Sequence, residues 1–393
     1  MSETFSFVSP CHFGLESVLK REVSDLGLAI DRVEDGKVYY SGSQRDLARA
    51  NVFLRTTERV LVIVGEFTAV TFDELFEKTK ALPWGVYLPR DARTWVAKAN
   101  SIKSALFSPS DIQSIVKKAI VERLKSAYRT DVVPETGHPY PIRISILKDR
   151  VTMALDSSGE SLHKRGYRVN TVPAPITETL AAALILSTPW KEDRVFFDGF
   201  AGSGTFPIEA AMIGRHIAPG LDREFTAENW TNLVSKRDWY EASKEALDLQ
   251  KSGAHLAIYA SDIDRRAIAA ATENAKRANV ADTITFRTED ISAVALPESY
   301  GFWISNPPYG ERISDKEELP KLYSEIGRTF ERLDKWSLYL ITAFDAAESY
   351  VGRKADKNRK IYNGMMKTYF YSFLGPKPER GEKQSENPVC DGK

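Results

Sequence analysis

The fold is decided by the stretch Val195-Phe-Phe-Asp198-Gly199-Phe-Ala-Gly202-Ser-Gly204-Thr205-Phe-Pro207. It predicts an apolar strand that ends in an acid, a glycine-rich turn, and a helix with a proline in its first turn. The glycines follow the order G-x-x-G-x-G, and no lysine precedes Thr205. The stretch therefore matches neither the dinucleotide fingerprint G-x-G-x-x-G nor a P-loop.

The acid before this turn indicates the chemistry of the ligand. A carboxylate at Asp198 attracts a cationic amino group, such as that of the methionine portion of S-adenosylmethionine, and repels a pyrophosphate. The glycines let such a ligand approach the backbone closely. The same residues also suit a structural strand-to-helix turn in which Asp198 only caps the helix.

A second strand ends in acids at Ala257-Ile-Tyr-Ala-Ser-Asp262-Ile263-Asp264. In this position Asp262 can accept both hydroxyls of a ribose, as the acid after the second strand does in Rossmann-type sites. Ile263 can then cover one face of an adenine, while Asp264 caps the following helix.

A third strand ends in the same way at Ile284-Thr-Phe-Arg-Thr-Glu-Asp290-Ile291, where Asp290 can receive the adenine amino group. Taken singly, each of these acids also suits a cap or an exposed turn. Their succession at neighbouring strand ends favours a nucleoside site.

The most informative strand end is Phe302-Trp-Ile-Ser-Asn306-Pro307-Pro308-Tyr309-Gly-Glu-Arg312. The prolines fix φ and hold Asn306 and Tyr309 rigidly. The Asn306 side-chain oxygen and the Pro307 carbonyl can accept the protons of an exocyclic amino group on a nucleobase, and Tyr309 can stack on that base. The alternative is a rigid proline turn without chemistry.

Strands that alternate with helices from residue 195 onward predict a mostly parallel sheet with helices on both faces, that is, an α/β fold. The predicted strands are Val195 to Phe197, Ile258 to Ser261, Ile284 to Arg287, Phe302 to Ser305 and Trp336 to Thr342. Because parallel strands end at one edge, the four motifs are expected to meet there.

The first 165 residues predict an α+β region without a catalytic cluster. We expect a helix over Gln44 to Leu54, a strand over Arg59 to Phe67, a helix capped by Ser110, and a hairpin of Pro141 to Leu147 with Val151 to Asp156.

The amino-acid composition argues against several classes of site and partner. With 54 basic and 54 acidic side chains the net charge is zero, so charge does not identify a partner. Only two cysteines occur, and the five histidines lack ligand spacing, so no disulfide framework and no metal site are expected. The N-terminus lacks the pattern of a signal peptide, and no apolar stretch is long enough to span a bilayer. We therefore expect a cytoplasmic protein without a membrane partner.

These motifs closely resemble class I S-adenosylmethionine-dependent methyltransferases of amino groups. More specifically, the chain resembles the THUMP-domain guanine N2-methyltransferases of bacterial 23S ribosomal RNA. The shared segments are Asp156-Ser-Ser-Gly-Glu-Ser-Leu-His-Lys-Arg-Gly-Tyr-Arg168, Ala174-Pro-Ile-Thr-Glu-Thr-Leu-Ala181, Ala218-Pro-Gly-Leu221, Asn306-Pro-Pro-Tyr-Gly-Glu-Arg312 and Lys360-Ile-Tyr-Asn-Gly364.

The resemblance implies the fold class and a division of the chain. We expect a Rossmann-like class I methyltransferase domain preceded by an α+β ferredoxin-like and THUMP RNA-binding region. The predicted units are a ferredoxin-like element at 1–55, a THUMP domain at 56–165, the methyltransferase domain at 166–374 and a disordered tail at 375–393.

The resemblance also assigns site residues, with S-adenosylmethionine as the cofactor. The cofactor pocket is expected to include Thr177, Thr179, Asp198, Ala201, Gly202, Gly204, Thr205, Asp262, Ile263, Asp290 and Ile291. Asn306, Pro307 and Tyr309 map to the methyl-acceptor site. Lys164, Arg165 and Arg168 are expected either to contact RNA phosphates or to form a solvated basic turn.

Three functions remain open at this point. The first is methylation of guanine N2 in 23S ribosomal RNA, as naked RNA or in a large-subunit assembly intermediate. The second is adenine N6-methylation of DNA or RNA, because the same amide and proline arrangement accepts either amino group. The third, in another class, is a non-catalytic RNA-binding assembly factor.

Overall fold

Two seven-stranded sheets organise the protein. The computed structural model describes residues 4–169, 176–296, 299–309, 315–364 and 366–377. The first sheet has the order β2-β3-β1-β4-β7-β6-β5, in which only the β5–β6 pair is parallel. Its strands are β1 (Phe5–Pro10), β2 (Ala29–Glu34), β3 (Lys37–Gly42), β4 (Leu61–Thr68), β5 (Arg93–Ile102), β6 (Pro139–Leu147) and β7 (Arg150–Asp156).

Five helices accompany this sheet. They are α1 (Glu16–Asp25), α2 (Gln44–Phe53), α3 (Phe72–Ala81), α4 (Trp84–Tyr87) and α5 (Pro109–Tyr128). The prediction of Ser110 as the cap of α5 is wrong: Ser108 accepts the hydrogen bond from the Asp111 amide, and Pro109 occupies the first turn, where its missing N–H costs nothing. The hairpin of β6 and β7 is confirmed.

The second sheet confirms the predicted parallel core. Its order is β10-β9-β8-β11-β12-β14-β13, with the first five strands parallel. These strands are β8 (Phe196–Asp198), β9 (Ile258–Asp262), β10 (Ile284–Thr288), β11 (Phe302–Ser305) and β12 (Ser337–Thr342). Two strands that the sequence did not predict, β13 (Lys357–Asn363) and β14 (Met366–Phe373), extend the sheet as an antiparallel hairpin.

Helices cover both faces of the second sheet. They are α6 (Glu178–Ser187), α7 (Thr205–Gly214), α9 (Arg265–Arg277), α10 (Asp315–Arg332) and α11 (Ala347–Val351). Helix α8 (Lys236–Asp248) instead packs against α2, beside the first sheet. One core contains Phe196 with side chains of α6, α7 and α9, while the opposite core contains Phe197 with side chains of α10 and α11. Alternation along the strand explains why neighbouring phenylalanines serve opposite cores. No helix in the described ranges is long and apolar enough to cross a bilayer.

Side chains from the second half of the chain complete the hydrophobic core that covers the first sheet. Trp230 stacks on Tyr140 with ring centroids 4.8 Å apart, and its indole N–H donates to the Pro139 carbonyl at 2.8 Å. Other side chains in this core are Phe225, Ala227, Leu233, Val234, Trp239, Ala242 and Ala246. A fragment that ended near residue 165 would expose this apolar surface. The predicted domain limits remain predictions, and most of the predicted tail, 378–393, lies outside the described residues.

Candidate functional site

The four sequence motifs meet at the carboxyl edge of the second sheet. Strands β8 and β11 are neighbours, but the chain continues from β8 to β9 on the opposite side. This is the topological switch point, where helices leave in opposite directions and a crevice opens. The parallel pairing of β10, β9, β8 and β11 brings Asp290, Asp262, Asp198 and Asn306 to that crevice.

Asp198 is buried at the base of the crevice, with 1% of its surface exposed. Its Oδ1 accepts hydrogen bonds from Ser305 Oγ at 2.6 Å and the Phe200 amide at 3.1 Å. Burial raises the pKa of this carboxyl to about 7. No described residue forms an ion pair with it, so a cationic ligand group would relieve the cost of its burial.

The glycine-rich turn lies directly above this acid. Gly202 and Gly204 have φ of 52° and 86°, which L side chains adopt only with strain. A Cβ at Gly204 would lie 2.9 Å from the Ala271 Cβ, so the turn also needs glycine for its close approach to α9. The buried Ala201 donates its amide to the Ser261 carbonyl, and Thr205 begins α7. These contacts hold the turn's backbone firmly.

Asp262 links this turn to the next strand end. Its Oδ2 accepts from the Gly202 amide at 2.9 Å, and its Oδ1 accepts from the Asp264 amide at 2.9 Å. Each oxygen keeps a further lone pair for a ligand hydroxyl. Ile263 beside it is 72% exposed, which suits a side chain that covers a ligand ring. The predicted cap is confirmed: Asp264 accepts from the Arg266 amide at 2.8 Å.

Asp290 and Ile291, which follow β10 at the carboxyl edge of the second sheet, differ in exposure. Asp290 is exposed and its Oδ1 accepts from both the amide and the hydroxyl of Ser292, which lower the pKa of the carboxyl. Ile291 is buried, and its Cδ1 lies 2.6 Å from the position of a Cβ built on Gly199. Asp290 therefore remains open to a ligand, while the Ile291 side chain supports the turn from within the core.

Thr177 and Thr179 stand at the start of α6 and face the N-terminal half. Thr179 is fully buried and its hydroxyl donates to Glu58. Thr177 Oγ1 lies 3.4 Å from His12 Nε2. Burial opposes ionisation of Glu58, but the surrounding hydrogen-bond donors outweigh it and hold the pKa of this carboxyl below its usual range. Both threonines therefore belong to a polar cluster between the two halves, and their contact with the cofactor remains a prediction.

Asn306, at the end of β11, presents an unsatisfied acceptor. Its Oδ1 is buried and has no hydrogen-bond partner among the described residues. Buried acceptors are rarely left unpaired, because desolvation costs about 1–3 kcal/mol without a replacement bond. Pro307 beside it is buried. The Asn306 Oδ1 is therefore suited to accept a hydrogen bond from a ligand N–H group.

Two residues that the sequence motifs did not single out hold the loop from Asn306 to Tyr309, which we call the acceptor loop. Asn363 Nδ2 donates to the Tyr309 hydroxyl at 3.2 Å, and the Tyr323 hydroxyl donates to the Pro308 carbonyl at 3.3 Å. Tyr323 also shares a 2.5 Å hydrogen bond with the Thr342 hydroxyl. The segment Lys360 to Gly364 was noted only as a family feature, so the role of Asn363 depends on the fold.

The basic turn before α6 requires a correction. Arg165 is buried at 3% exposure, lies 3.5 Å from Glu209 Oε1, and donates to the carbonyls of Leu162 and Arg55. The expected contact of Arg165 with RNA phosphates is therefore wrong, because its guanidinium is already bound inside the protein.

Arg168 is likewise engaged within the protein. It pairs with Glu178 at 2.9 Å and donates to Thr205 Oγ1 at 2.8 Å, which places it beside the end of the glycine-rich turn. Lys164 is exposed, and the one ion pair of its Nζ in the described ranges is with Glu160 at the surface, so this side chain remains available to a phosphate. Across the described ranges no group of three histidine, cysteine or acidic residues forms a metal-binding cluster.

Family models match three successive parts of the chain. The RlmL ferredoxin-like domain matches residues 6–61, the THUMP domain residues 69–156, and the RMKL-like methyltransferase domain of the UPF0020 family residues 165–371. These matches confirm the resemblance that the sequence motifs carry.

Individual relatives cover nearly the whole chain. "Putative RNA methyltransferase YpsC" of Bacillus subtilis (strain 168) is 45% identical over 386 residues, 98% of this chain and 99% of the relative. A crystal structure of "a predicted N6-adenine-specific DNA methylase from Listeria monocytogenes str. 4b F2365" is 47% identical, with TM-score 0.90 over 95% of this chain and 97% of that one. The structure of "SMU.472, a putative methyltransferase complexed with SAH" is 40% identical, with TM-score 0.91 over 96% of this chain and 100% of that one.

The domain matches agree with the geometry: an RNA-binding type of module precedes a methyltransferase sheet whose crevice holds the acids and the acceptor loop. The chain therefore belongs to the RMKL-like family of THUMP-domain RNA methyltransferases.

Proposed function

We propose that the protein uses S-adenosylmethionine to methylate guanine N2 in 23S ribosomal RNA. The observation that carries the proposal is the buried Oδ1 of Asn306 at the end of β11, which has no hydrogen-bond partner among the residues that the structure describes. An exocyclic amino group that enters the crevice would donate to this oxygen and to the Pro307 carbonyl. Both acceptors attract the amino protons and favour a pyramidal nitrogen, whose lone pair is then available.

The cofactor would supply the methyl group, and the described residues fit it. Asp198 offers a buried carboxylate for its ammonium group, Asp262 accepts the ribose hydroxyls, and Ile263 covers the adenine. The proposal needs no general base, because the methylated nitrogen becomes acidic and loses its proton to solvent.

Tyr309 would stack on the extruded base while Asn363 holds its hydroxyl. The partner would be 23S ribosomal RNA or a large-subunit assembly intermediate. The similarity to a protein that carries an N6-adenine DNA methylase name favours adenine N6 as the second candidate.

Nucleoside mass spectrometry separates these candidates. Ribosomal RNA from cells with and without the gene is digested to nucleosides, and N2-methylguanosine and N6-methyladenosine are quantified. We expect a loss of N2-methylguanosine from the large-subunit RNA of the deletion strain, restored by the wild-type gene and not by Asn306→Ala. Loss of N6-methyladenosine alone would favour the second candidate, and unchanged levels of both would contradict the proposal.

A further inference from the structure

The hairpin of β13 and β14 carries a regular pattern of lysine and tyrosine. Lys360 lies opposite Tyr369, and Tyr362 lies opposite Lys367. Residues opposite one another in an antiparallel pair share a face, as do residues two apart along a strand. These four side chains therefore form one patch, which we call the Lys-Tyr patch.

The cations of the patch lie against its rings. Lys360 Nζ is 5.2 Å from the centroid of the Tyr362 ring, and Lys367 Nζ is 4.8 Å from that of Tyr369. Both lysines are exposed and both rings are half-buried. A surface in which flat rings alternate with cations can bind bases and phosphates together.

An aromatic side chain from the N-terminal half extends the patch. Phe13 is 45% exposed, and its ring meets that of Tyr362 edge to face with centroids 6.2 Å apart. His12 lies next to it, with Nδ1 3.3 Å from the Tyr362 carbonyl. Both halves of the protein therefore contribute to this surface.

The patch adjoins the acceptor loop. Asn363 follows Tyr362 in the chain and donates to the Tyr309 hydroxyl. Nucleotides that flank a base bound at Tyr309 can reach the patch, which begins one residue along β13 from Asn363. The surrounding charge suits a polyanion: residues 353–367 hold six basic side chains and one acidic one, although the whole chain is neutral. The exposed Asp345 is a further acid near Lys367.

We propose that the Lys-Tyr patch and Phe13 bind the nucleotides that flank the target base, with the lysines on phosphates and the rings on bases. This inference rests on the proposed function, since it assumes that RNA enters at Tyr309. A lysine on an edge strand, as Lys360 is on β13, can also serve only to prevent pairing with other strands, but Lys367 is on β14, which is paired on both sides. That role does not explain an exposed phenylalanine beside them, and a second copy of the chain would bring like charges together.

Charge reversal tests the lysines, because glutamate at position 360 protects the edge strand equally well, whereas glutamate at either position repels phosphate. We expect Lys360→Glu with Lys367→Glu to weaken binding of in vitro transcribed 23S ribosomal RNA to the full-length protein. The slope of log affinity against log salt should fall by at least about 1.4, since one contact to a single strand contributes about 0.7. S-adenosylmethionine affinity, measured by calorimetry, should stay within twofold. The control pair Lys276→Glu with Arg277→Glu, exposed on α9, should keep the wild-type slope.

The rings are tested separately. Phe13→Ala should weaken RNA binding about 5- to 150-fold, the range that corresponds to one lost stacking contact, and Phe13→Trp should restore it. Tyr240→Ala, which removes a 67% exposed ring from α8, is the matched control and should have no effect.

The outcomes separate this inference from the proposed function. Wild-type slopes and affinities in the lysine and Phe13 variants would overturn the patch even if guanine methylation is found. Absence of RNA binding by the wild-type protein would also overturn it, as would a dimer in sedimentation that the lysine variant disrupts while RNA binding is unchanged. Variant-sensitive RNA binding without N2-methylguanosine would support the patch and contradict the assigned target.

Discussion

Ser305 Oγ, at the end of β11, donates a 2.6 Å hydrogen bond to Asp198 Oδ1 at the end of the neighbouring strand β8. The same hydroxyl accepts the Gly199 amide at 3.0 Å and the Trp303 indole N–H at 2.9 Å. Because both lone pairs of the oxygen are used, its single proton points to Asp198. Ser305 thereby orients the carboxylate that we assign to the cofactor ammonium group.

Ser305→Ala should weaken S-adenosylmethionine binding by about 10-fold or more at pH 7.5, because a hydrogen bond to a charged group is worth about 1.5–3 kcal/mol. It should also lower stability, since two buried N–H groups lose their acceptor. Calorimetry and thermal denaturation measure the two effects. Ser292→Ala is the matched control: its hydroxyl also lies 2.6 Å from an aspartate, but Asp290 is exposed and water can replace the bond. Wild-type affinity in Ser305→Ala would contradict the orienting role.

Asp198→Asn should raise the stability of the cofactor-free protein at pH 8. Burial raises the pKa of Asp198 from 3.8 to about 7, so the ionised form opposes folding above pH 7. This penalty grows between about pH 4 and 7 and can reach roughly 4 kcal/mol. The gain in the free energy of unfolding should therefore disappear near pH 4, where wild-type Asp198 is protonated. Chemical denaturation at the two pH values checks this, and equal gains at both would exclude the buried charge as the cause.

For the wild-type protein the same pKa predicts how cofactor affinity depends on pH. Only the ionised carboxylate attracts an ammonium group, so affinity should fall about fivefold from pH 7 to pH 6 if the pKa in the complex lies lower. Calorimetry across this range, with Asp198→Asn as a control that should show a flat profile, tests the assignment. A flat wild-type profile would contradict it.

Asp262→Ala should weaken S-adenosylmethionine binding about 10- to 150-fold, because contacts to ribose hydroxyls from a charged group are lost. Asp264→Ala is a close control, since Asp264 caps α9 and is not assigned to the ligand. Its loss should cost about 1 kcal/mol of stability with little effect on affinity. An unchanged dissociation constant in folded Asp262→Ala would remove this residue from the ribose role.

Asn306→Ala should slow methyl transfer about 100- to 1,000-fold, as removal of one preorganised electrostatic partner does elsewhere. Cofactor affinity should stay within about threefold, because Asn306 is assigned to the target amino group. Tyr309→Ala should instead weaken capture of the base by about 1–3 kcal/mol of lost stacking. Single-turnover transfer of a labelled methyl group, with RNA varied at saturating cofactor, distinguishes the two. Near-normal transfer by folded Asn306→Ala would place the acceptor site elsewhere.

Arg165→Ala and Lys164→Ala should differ sharply although the residues are adjacent. Loss of Arg165 leaves Glu209 with less compensation in the interior, and breaking a buried pair costs about 3–5 kcal/mol. Loss of the exposed Lys164 should not change the unfolding midpoint, but a phosphate contact would reduce the salt slope of RNA binding by about 0.7. Denaturation and RNA titration of both variants test this contrast. A stable Arg165→Ala protein would contradict the buried role.

The sequence by itself determined the parallel core and the order of the motifs at its edge. Each signal is local: an apolar strand, then an acid or amide, then a turn or helix start. Since parallel strands share one carboxyl edge, Asp198, Asp262, Asp290 and Asn306 meet there without further information. The cap at Asp264 also follows from neighbouring residues alone.

Only the tertiary structure decided which polar groups are buried and what they meet. From its neighbours in the sequence Arg165 is expected to be an exposed cation, but in the fold it packs against Glu209, 44 positions away. The bond between Ser305 and Asp198 spans 107 positions, and the contact between Phe13 and Tyr362 joins opposite ends of the chain. Burial and pairing depend on the whole packing of the chain, whereas strand and turn signals depend on a few neighbouring residues.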